Sequence, residues 1–215
     1  NGRCITAPNP FVGAVIVRNG RIIGEGFTQK GGRPHAEAMA LEACTESPEG
    51  ATVYSTLEPC ALHATSRGPA CSDLLIAAKV SRVVSALHDP FDGVNGAGHD
   101  NLRRAGIKVE CGLMEAEAKK QLQGFLARAS RGRPLVTLKV AATLDGKTAL
   151  ANGVSKWITG ADARRDVHRM RAEACAVMTG IGTVLADDPE LTVRDVPCER
   201  QPLRMVPRLW GVPPP

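Results

Sequence analysis

Short apolar runs alternate with longer segments of mixed polarity through the first half of this 215-residue chain. The run at 12–17 is followed by Asn19-Gly20, a dipeptide that favours a two-residue hairpin turn, and 21–27 is predicted as the partner strand. Further along, β-branched runs alternate with stretches rich in Ala, Leu and Glu, which are typical of strands and helices respectively. These predict strands at 51–56, 82–87 and 107–111, and helices at 36–46, 72–79, 98–105 and 113–131.

A hairpin followed by β-α units predicts a three-layer α/β domain with a mixed sheet. We place its boundary at the end of the long helix, so that the first domain spans 1–131 and a second alternation occupies 132–206. The last 21 residues contain six prolines and show no periodicity, so we expect no core element at 195–215 and an irregular tail at 207–215. Elements predicted in the second half are strands at 135–141 and 175–179, a helix at 161–172 and a helical turn at 182–186.

Composition narrows the class of partner. Aromatic residues make up only 3% of the chain, which argues against a stacking platform for single-stranded nucleic acid. No apolar run approaches the roughly 18 residues that a membrane span needs, and no signal peptide is recognisable. Seven irregularly spaced cysteines favour a reducing cytoplasm, with some thiolates on a metal, over a secreted disulfide framework.

The one local concentration of positive charge lies in the predicted helix of the second half. It has two interpretations, an ordinary solvated helix face or a site for an anionic small molecule. Its members are Arg164, Arg165, Arg169 and Arg171.

Three short segments carry potential metal chemistry. His35-Ala36-Glu37 opens a predicted helix, Pro59-Cys60 follows a strand, and Cys71 precedes a helix. Catalytic zinc takes three His or Cys ligands and keeps a fourth position open for water, which makes His35, Cys60 and Cys71 candidate ligands. Glu37 is two residues from His35, so it can carry protons beside the open position instead of binding the metal.

This pattern resembles the zinc deaminase signature, His-x-Glu followed by Pro-Cys and a second Cys. In that signature two residues separate the cysteines, whereas ten separate Cys60 from Cys71. The alternative is that His35, Cys60 and Cys71 are unrelated core or surface residues. Their positions at three strand-to-helix junctions, where an open α/β sheet gathers ligands, favour the zinc site.

Longer blocks extend the resemblance to the bifunctional riboflavin-biosynthesis deaminase/reductase family, over about residues 5–206. In the first half the matching blocks are residues 7–13 (APNPFVG), 24–26 (GEG), 34–37 (PHAE), 57–60 (LEPC), 89–90 (DP), 96–98 (GAG) and 102–106 (LRRAG). In the second half they are residues 138–139 (LK), 144–146 (LDG), 157–159 (WIT), 164–168 (RRDVH), 171–172 (RA), 183–189 (TVLADDP) and 191–194 (LTVR).

The resemblance implies a cytidine-deaminase-like first domain and a dihydrofolate-reductase-like second domain. The first would deaminate 2,5-diamino-6-ribosylamino-4(3H)-pyrimidinone 5′-phosphate, and the second would reduce the ribosyl group with NADPH. It also implies zinc on His35, Cys60 and Cys71, proton transfer by Glu37, a cytoplasmic homo-oligomer, and no membrane or nucleic-acid partner.

The resemblance also implies contacts of individual residues with the substrate and with NADPH. In the first domain, Asn9 would contact the pyrimidine, Asp89 the ribose phosphate region, and Arg67 would supply a cation. In the second domain the implied contacts with NADPH are Ala141, Trp157, Thr183 and Asp187. Those with the phosphorylated substrate are Ser155, Arg171, Leu191 and Arg194.

The chain departs from the family pattern at several points. The loop between the two cysteines is two residues longer, Thr28 replaces an expected His, and Phe91 replaces an expected Asn, so two polar groups expected near the substrate are missing. The first helix of the family and the later part of its reductase domain have no counterpart. We therefore expect a chain truncated at both ends or frame-shifted near residue 206, with an incomplete reductase domain.

Two other functions stay open at this point. The same metal fold could act on another base, as guanine and tRNA adenosine deaminases do. Alternatively, the zinc could stabilise a scaffold without catalysis, in which case Glu37 would have no role in turnover.

Overall fold

The computed structural model describes residues 5–61 and 68–207. The chain divides into two compact units, 1–136 and 137–215, each of which is considered by itself. The domain boundary predicted after residue 131 coincides with the end of the last helix of the first unit. Among the described residues, no helix has both the length and the apolar character required to cross a membrane.

The first unit is built on one five-stranded sheet, with strand order β2-β1-β3-β4-β5. β1 is antiparallel to both β2 and β3, whereas β3, β4 and β5 run parallel. The predicted α/β domain with a mixed sheet is therefore confirmed. Its elements are β1 (Gly13–Arg18), β2 (Arg21–Phe27), a 3-10 turn (Lys30–Gly32), α1 (Ala36–Glu42), β3 (Thr52–Ser55), α2 (Cys71–Ala77), β4 (Arg82–Ser85), α3 (Ala97–Arg104), β5 (Lys108–Cys111) and α4 (Glu115–Arg131).

The turn between β1 and β2 is the predicted two-residue hairpin. Asn19 has φ 51° and Gly20 has φ 75°, so both central residues lie in the left-handed region that a type I′ turn requires. Asn and Gly reach this region at lower cost than other residues, which explains why this dipeptide marks the turn in the sequence.

The sheet is covered on both faces. Successive residues of a strand point to opposite sides, yet Val83 and Val84 of β4 are both almost fully buried. α1 packs against β1 and β2, and α3 packs against β5. Leu122 of α4 belongs to the same apolar core as Ile16 of β1 and Val53 of β3.

α1 is shorter than the sequence predicts, since it ends at Glu42 and not at residue 46. Beyond it, the Thr45 amide donates a hydrogen bond to the Ile23 carbonyl at 2.8 Å. The backbone after α1 therefore forms a hydrogen bond with β2 and does not continue the helix. This tertiary contact overrides the helical propensity of residues 43–46.

The parallel strands bring two loops to one edge of the sheet. Residues 56–61 follow β3, and residues 86–96 follow β4. Because parallel strands end on the same side, side chains in these loops meet there, beside the first residues of α1 and α2.

The second unit contains α5 (Ala161–Glu173), β6 (Ala176–Met178), α6 (Ile181–Asp187) and β7 (Leu203–Met205), and β6 pairs with β7 in parallel. Three predicted elements of this unit are confirmed, and none of their ends differs by more than one residue from the prediction. They are the helix at 161–172, the strand at 175–179 and the helical turn at 182–186. The predicted strand at 135–141 is wrong, because these residues have no strand pairing, and an apolar run becomes a strand only beside a partner.

β7 is a strand that the sequence did not predict. Its three residues are all exposed, so it belongs to the sheet of the second unit without contributing a buried face. Strand pairing through backbone hydrogen bonds does not require hydrophobic periodicity, which explains why the pattern of 195–215 gave no sign of it.

Gly98 is required by close packing between α3 and the loop after β3. A Cβ atom at this position would lie 1.8 Å from the Pro59 carbonyl oxygen, and a backbone atom cannot move aside as a flexible side chain could. We expect Gly98→Ala to lower the free energy of unfolding by about 2 kcal/mol or more, measured by denaturant titration.

Gly124 provides the matched control, because it lies in α4 and a Cβ there meets nothing within 4 Å. Gly124→Ala should raise stability by about 0.5–1 kcal/mol through helix propensity. Equal stability of the two variants would contradict the close contact at Gly98.

Candidate metal centre

Three side chains from separate parts of the first unit converge at the carboxyl edge of the sheet. His35 immediately precedes α1, Cys60 lies in the loop after β3, and Cys71 is the first residue of α2. The Nδ1 atom of His35 lies 3.3 Å from Cys71 Sγ and 3.5 Å from Cys60 Sγ. The candidate ligands predicted from sequence therefore lie close enough to share one atom.

These distances fit a zinc ion. Tetrahedral zinc with bonds of about 2.0–2.1 Å to nitrogen and about 2.3 Å to sulfur places its nitrogen and sulfur ligands roughly 3.6 Å apart. The measured 3.3 and 3.5 Å separations are close to that value. One imidazole and two sulfurs also form a donor set that zinc prefers, so the residues present suit the metal.

The two sulfurs interact with each other. The hydrogen bond between them lowers the pKa of Cys60 and raises that of Cys71. The backbone N–H of Cys71 also donates to Cys60 Sγ at 3.3 Å, at the start of α2 where the helix dipole favours negative charge. The hydrogen bond to Cys60 raises the pKa of His35. Negative charge is therefore already concentrated on Cys60.

Glu37 lies in the first turn of α1 beside the sulfurs. Its side chain is buried, and burial raises the pKa of its carboxyl group. Ser55, the last residue of β3, donates its hydroxyl proton to Glu37 Oε1 at 3.2 Å. The carboxyl group is thus held in place next to the candidate ligands, where a proton carrier would be needed.

The other site residues predicted in this unit have different surroundings. Asp89 is buried in the loop after β4, which raises its pKa, and its carboxylate interacts electrostatically with Cys60 and His35. Asn9 donates from Nδ2 to the Gly32 carbonyl at 3.1 Å, three residues before His35. Arg67 lies outside the described residues. The substrate contacts of all three stay predictions.

Glu58 is a central residue to which the sequence reasoning assigned no role. Its buried carboxylate accepts four backbone N–H groups: those of Gly98 and His99 on Oε1, at 3.0 and 3.2 Å, and those of Asp89 and Gly96 on Oε2, at 3.2 and 3.0 Å. It therefore joins the loop that carries Cys60 to the loop that carries Asp89. The only signal in the sequence was its position two residues before Cys60.

Thr28 and Phe91, the two residues that replace polar residues expected from the family pattern, differ in burial. Thr28 is 2% exposed, and its hydroxyl accepts the Val12 N–H at 3.1 Å, so it joins the end of β2 to the start of β1. Phe91 is 56% exposed, and its backbone N–H donates to Asp89 Oδ1 at 2.9 Å.

In the second unit, the residues assigned to NADPH are distributed over three segments. Trp157 is 73% exposed, with the Arg164 guanidinium 4.5 Å from its ring centroid. Thr183 and Asp187 lie on α6, where Asp187 forms an ion pair with Lys156 at 3.8 Å. This ion pair connects the Trp157 segment to α6. Ala141 is half-buried in the stretch that has no strand pairing.

The residues assigned to the phosphorylated substrate centre on two arginines. Arg171 on α5 donates to the Thr192 carbonyl at 3.0 Å, and burial together with the nearby Arg194 lowers its pKa. Leu191 is buried beside this segment, whereas Ser155 is exposed. The Arg194 guanidinium is also paired with the Glu190 carboxylate, so the positive charge of this cluster is partly neutralised within the unit.

Glu58→Gln should destabilise the first unit. The glutamine keeps one oxygen, but its NH2 group would face two of the four backbone N–H donors and leave them unpaired. We expect the free energy of unfolding to fall by about 2 kcal/mol or more, measured by denaturant titration. Glu117→Gln, on the exposed face of α4, is the control and should change stability by less than about 0.5 kcal/mol. Similar small effects for both would show that the four hydrogen bonds contribute little.

Two protein families match the chain. The cytidine and deoxycytidylate deaminase zinc-binding region matches residues 2–87, and the RibD C-terminal domain matches residues 134–209. The first match contains all three candidate metal ligands, His35, Cys60 and Cys71, together with Glu37.

Individual relatives match both units. The riboflavin biosynthesis protein RibD of Escherichia coli is 53% identical over 193 residues, which cover 90% of this chain and 52% of that protein. RibD of Aquifex aeolicus is 48% identical over 201 residues, 94% of this chain and 56% of that protein. The chain thus spans about half the length of these curated relatives.

A solved structure is similar as well. The crystal structure of a diaminohydroxyphosphoribosylaminopyrimidine deaminase/5-amino-6-(5-phosphoribosylamino)uracil reductase from Thermotoga maritima is 44% identical, with a TM-score of 0.91. The match covers 98% of this chain and 60% of that one. A deaminase zinc-binding region and the RibD C-terminal domain thus match successive parts of one polypeptide, which is similar to RibD proteins over about half of their length.

Proposed function

We propose that the first unit is a zinc-dependent deaminase that releases ammonia from 2,5-diamino-6-ribosylamino-4(3H)-pyrimidinone 5′-phosphate. The observation that carries this proposal is the convergence of His35, Cys60 and Cys71 at zinc-like distances beside the buried carboxyl group of Glu37. The substrate class rests on the family and on the deaminase activity named for the Thermotoga maritima relative.

In this proposal His35, Cys60 and Cys71 hold the zinc ion, which would lower the pKa of a water molecule at its open position. The Glu37 carboxylate accepts one proton from the attacking water and delivers it to the ring nitrogen. It then accepts a second proton, from the hydroxyl now on the ring carbon, and delivers that one to the departing amine, which leaves as ammonia. Ser55 keeps the Glu37 carboxylate in place during both transfers through its hydrogen bond to Oε1.

Proton transfer is protected from bulk water. Glu37 is 3% exposed, and Asp89 lies buried nearby with a raised pKa. Burial favours the uncharged form of a carboxyl group, so the free energy needed to protonate Glu37 is lower than it would be in water. The site thus combines a fixed proton carrier with a low-dielectric environment, in which electrostatic interactions are strong.

For the second unit we propose binding of NADPH at Ala141, Trp157, Thr183 and Asp187, and of the ribosyl phosphate at Ser155, Arg171, Leu191 and Arg194. The closeness of Arg171 and Arg194 supports an anion site, and the Lys156–Asp187 ion pair connects the segments assigned to the cofactor. A cytoplasmic location and a homo-oligomeric state are further parts of the proposal, taken from the family.

The deciding experiment is ammonia release by the purified full chain with three substrates in parallel. We expect turnover of the phosphoribosylamino-pyrimidine and little with guanine or cytidine. Preferential turnover of guanine or cytidine would replace the proposed substrate by another base, and absence of turnover with all three in zinc-loaded protein would favour a scaffold role. NADPH oxidation with the deaminated product tests the second unit in the same samples.

Glu37→Gln should abolish ammonia release while zinc stays bound. The amide cannot carry protons, and the loss of a positioned general acid–base residue costs about 10²–10⁴-fold in rate. Turnover is measured by ammonia release, and zinc content by elemental analysis of the same sample. Glu42→Gln, at the exposed end of α1, is the control. Full activity of Glu37→Gln would exclude Glu37 as the proton carrier.

Removal of zinc should abolish ammonia release without unfolding the sheet. A chelator is expected to eliminate turnover, and added Zn²⁺ is expected to restore it, with circular dichroism as the check on folding. Cys60→Ser should bind zinc at least about tenfold more weakly at this centre, because a hydroxyl is a poorer ligand than a thiolate. Activity in protein shown to be zinc-free would contradict the proposal.

Arg171→Ala should weaken binding of the phosphorylated deamination product by about tenfold or more, since it removes a charge-assisted grip on phosphate. Titration calorimetry measures the affinity. Arg169→Ala is the matched control, because Arg169 lies on the same helix but pairs with Asp166 at the surface. Equal weakening in both variants would indicate a non-specific charge effect.

A further inference from the structure

A second cluster of potential metal ligands lies in the first unit, apart from the centre formed by His35, Cys60 and Cys71. It consists of His88 after β4, His99 on α3 and Cys111 at the end of β5. A ring nitrogen of each histidine and the sulfur of Cys111 all lie within 4.8 Å of one another. Three separate elements thus bring two imidazoles and a thiol to one point.

Glu58 faces both imidazole rings. Its Oε2 atom lies 3.5 Å from Nδ1 of His88 and 3.9 Å from Nδ1 of His99. These separations are longer than normal hydrogen bonds, so the carboxylate acts on the rings through its charge. Burial lowers the pKa of His99 and so favours its neutral form, which is the form that binds a metal.

His99 is hydrogen-bonded to the strand neighbour of Cys111. Nε2 of His99 lies 2.8 Å from Ser85 Oγ, and Ser85 is the register partner of Cys111 in the parallel pair β4 and β5. Register partners on adjacent strands point to the same face of a sheet. The His99 ring and the side chain of Cys111 therefore lie on one side of the sheet, with the His88 ring 4.8 Å from the His99 ring, centroid to centroid.

Packing alone does not account for His99. Its side chain is fully buried, and among the described residues its Nδ1 atom has no hydrogen-bond partner. Such a buried unpaired polar atom is uncommon in folded proteins, because it loses its bonds to water without replacement. Ser85 fixes this ring through Nε2, which leaves the unpartnered Nδ1 atom as the one that can bind a ligand.

Two of the three side chains in this cluster, His88 and Cys111, are accessible to solvent and can move. His88 and Cys111 line an open groove of about 620 Å³, together with Glu115. Tetrahedral zinc needs its ligand atoms about 3.3–3.6 Å apart, so contraction from the 4.8 Å limit is required. The His88 side chain is 57% exposed and Cys111 is exposed, which leaves both free to move by the necessary ångström.

We propose that His88, His99 and Cys111 form a second site for a borderline-soft divalent cation such as Zn²⁺, which joins the loop after β4 and α3 to β5. The ion takes two imidazole nitrogens and the Cys111 thiolate, and its fourth position faces the groove. Binding releases the Cys111 thiol proton to solvent. This site is separate from the proposed deaminase centre and has no part in ammonia release.

The test is metal stoichiometry of the full chain, prepared without metal and titrated with Zn²⁺ against a chromophoric chelator. We expect two equivalents for the unaltered protein and one equivalent for His88→Ala and for Cys111→Ser. Both changes are at exposed positions, so folding should persist, and ammonia release should stay unchanged. Cys175→Ser, an exposed thiol of the second unit, is the matched control and should retain two equivalents.

Substitution with Co²⁺ separates the two sites. Cys60→Ser, which weakens the first centre, should still show a thiolate-to-cobalt absorption band with one equivalent of metal, and adding Cys111→Ser should remove it. One equivalent in the unaltered protein, or two in Cys111→Ser, would overturn the second site. Two equivalents without ammonia release would instead count against the proposed deaminase and leave the second site standing.

Discussion

The buried carboxylate of Glu58 organises the functional edge of the first unit. By accepting four backbone N–H groups, it fixes the path of the loop after β4 relative to the loop after β3. Cys60 follows two residues later on one loop, and Asp89 lies on the other, so both side chains depend on this carboxylate for their positions. The packing of Gly98 against the Pro59 carbonyl leaves the same junction no room for adjustment. A charge that would be costly in the core is tolerated because each oxygen has two donors.

The candidate metal centre is held together by the starts of two helices. Helix α2 begins at Cys71, whose backbone N–H donates to Cys60 Sγ and stabilises negative charge there. His35 approaches both sulfurs from the residue before α1. Glu37 lies in the first turn of the same helix, so one element positions both a candidate ligand and the proposed proton carrier.

Predictions from the sequence were accurate where the signal is local. The Asn19-Gly20 hairpin follows from backbone conformations that few residues adopt, and the alternation of strands and helices in residues 12–131 follows from hydrophobic period. Predictions were wrong where a partner decides the outcome. Residues 135–141 have an apolar pattern without strand pairing, β7 pairs without a pattern, and α1 ends early because residue 45 bonds to β2. Periodicity describes which face a segment can bury, but strand pairing depends on what lies beside it.

Residue type and spacing by themselves determined the candidate ligands His35, Cys60 and Cys71, the neighbouring Glu37, and the resemblance to the deaminase/reductase family. Those features depend on chemistry that few residues can perform, and they stand in recognisable order along the chain. Only the tertiary structure decided the role of Glu58, the hydrogen bond between the two sulfurs, and the meeting of His88, His99 and Cys111. Each of these depends on distances between segments that are ten to forty residues apart, and such distances are set by the packing of helices on the sheet, which no local pattern specifies.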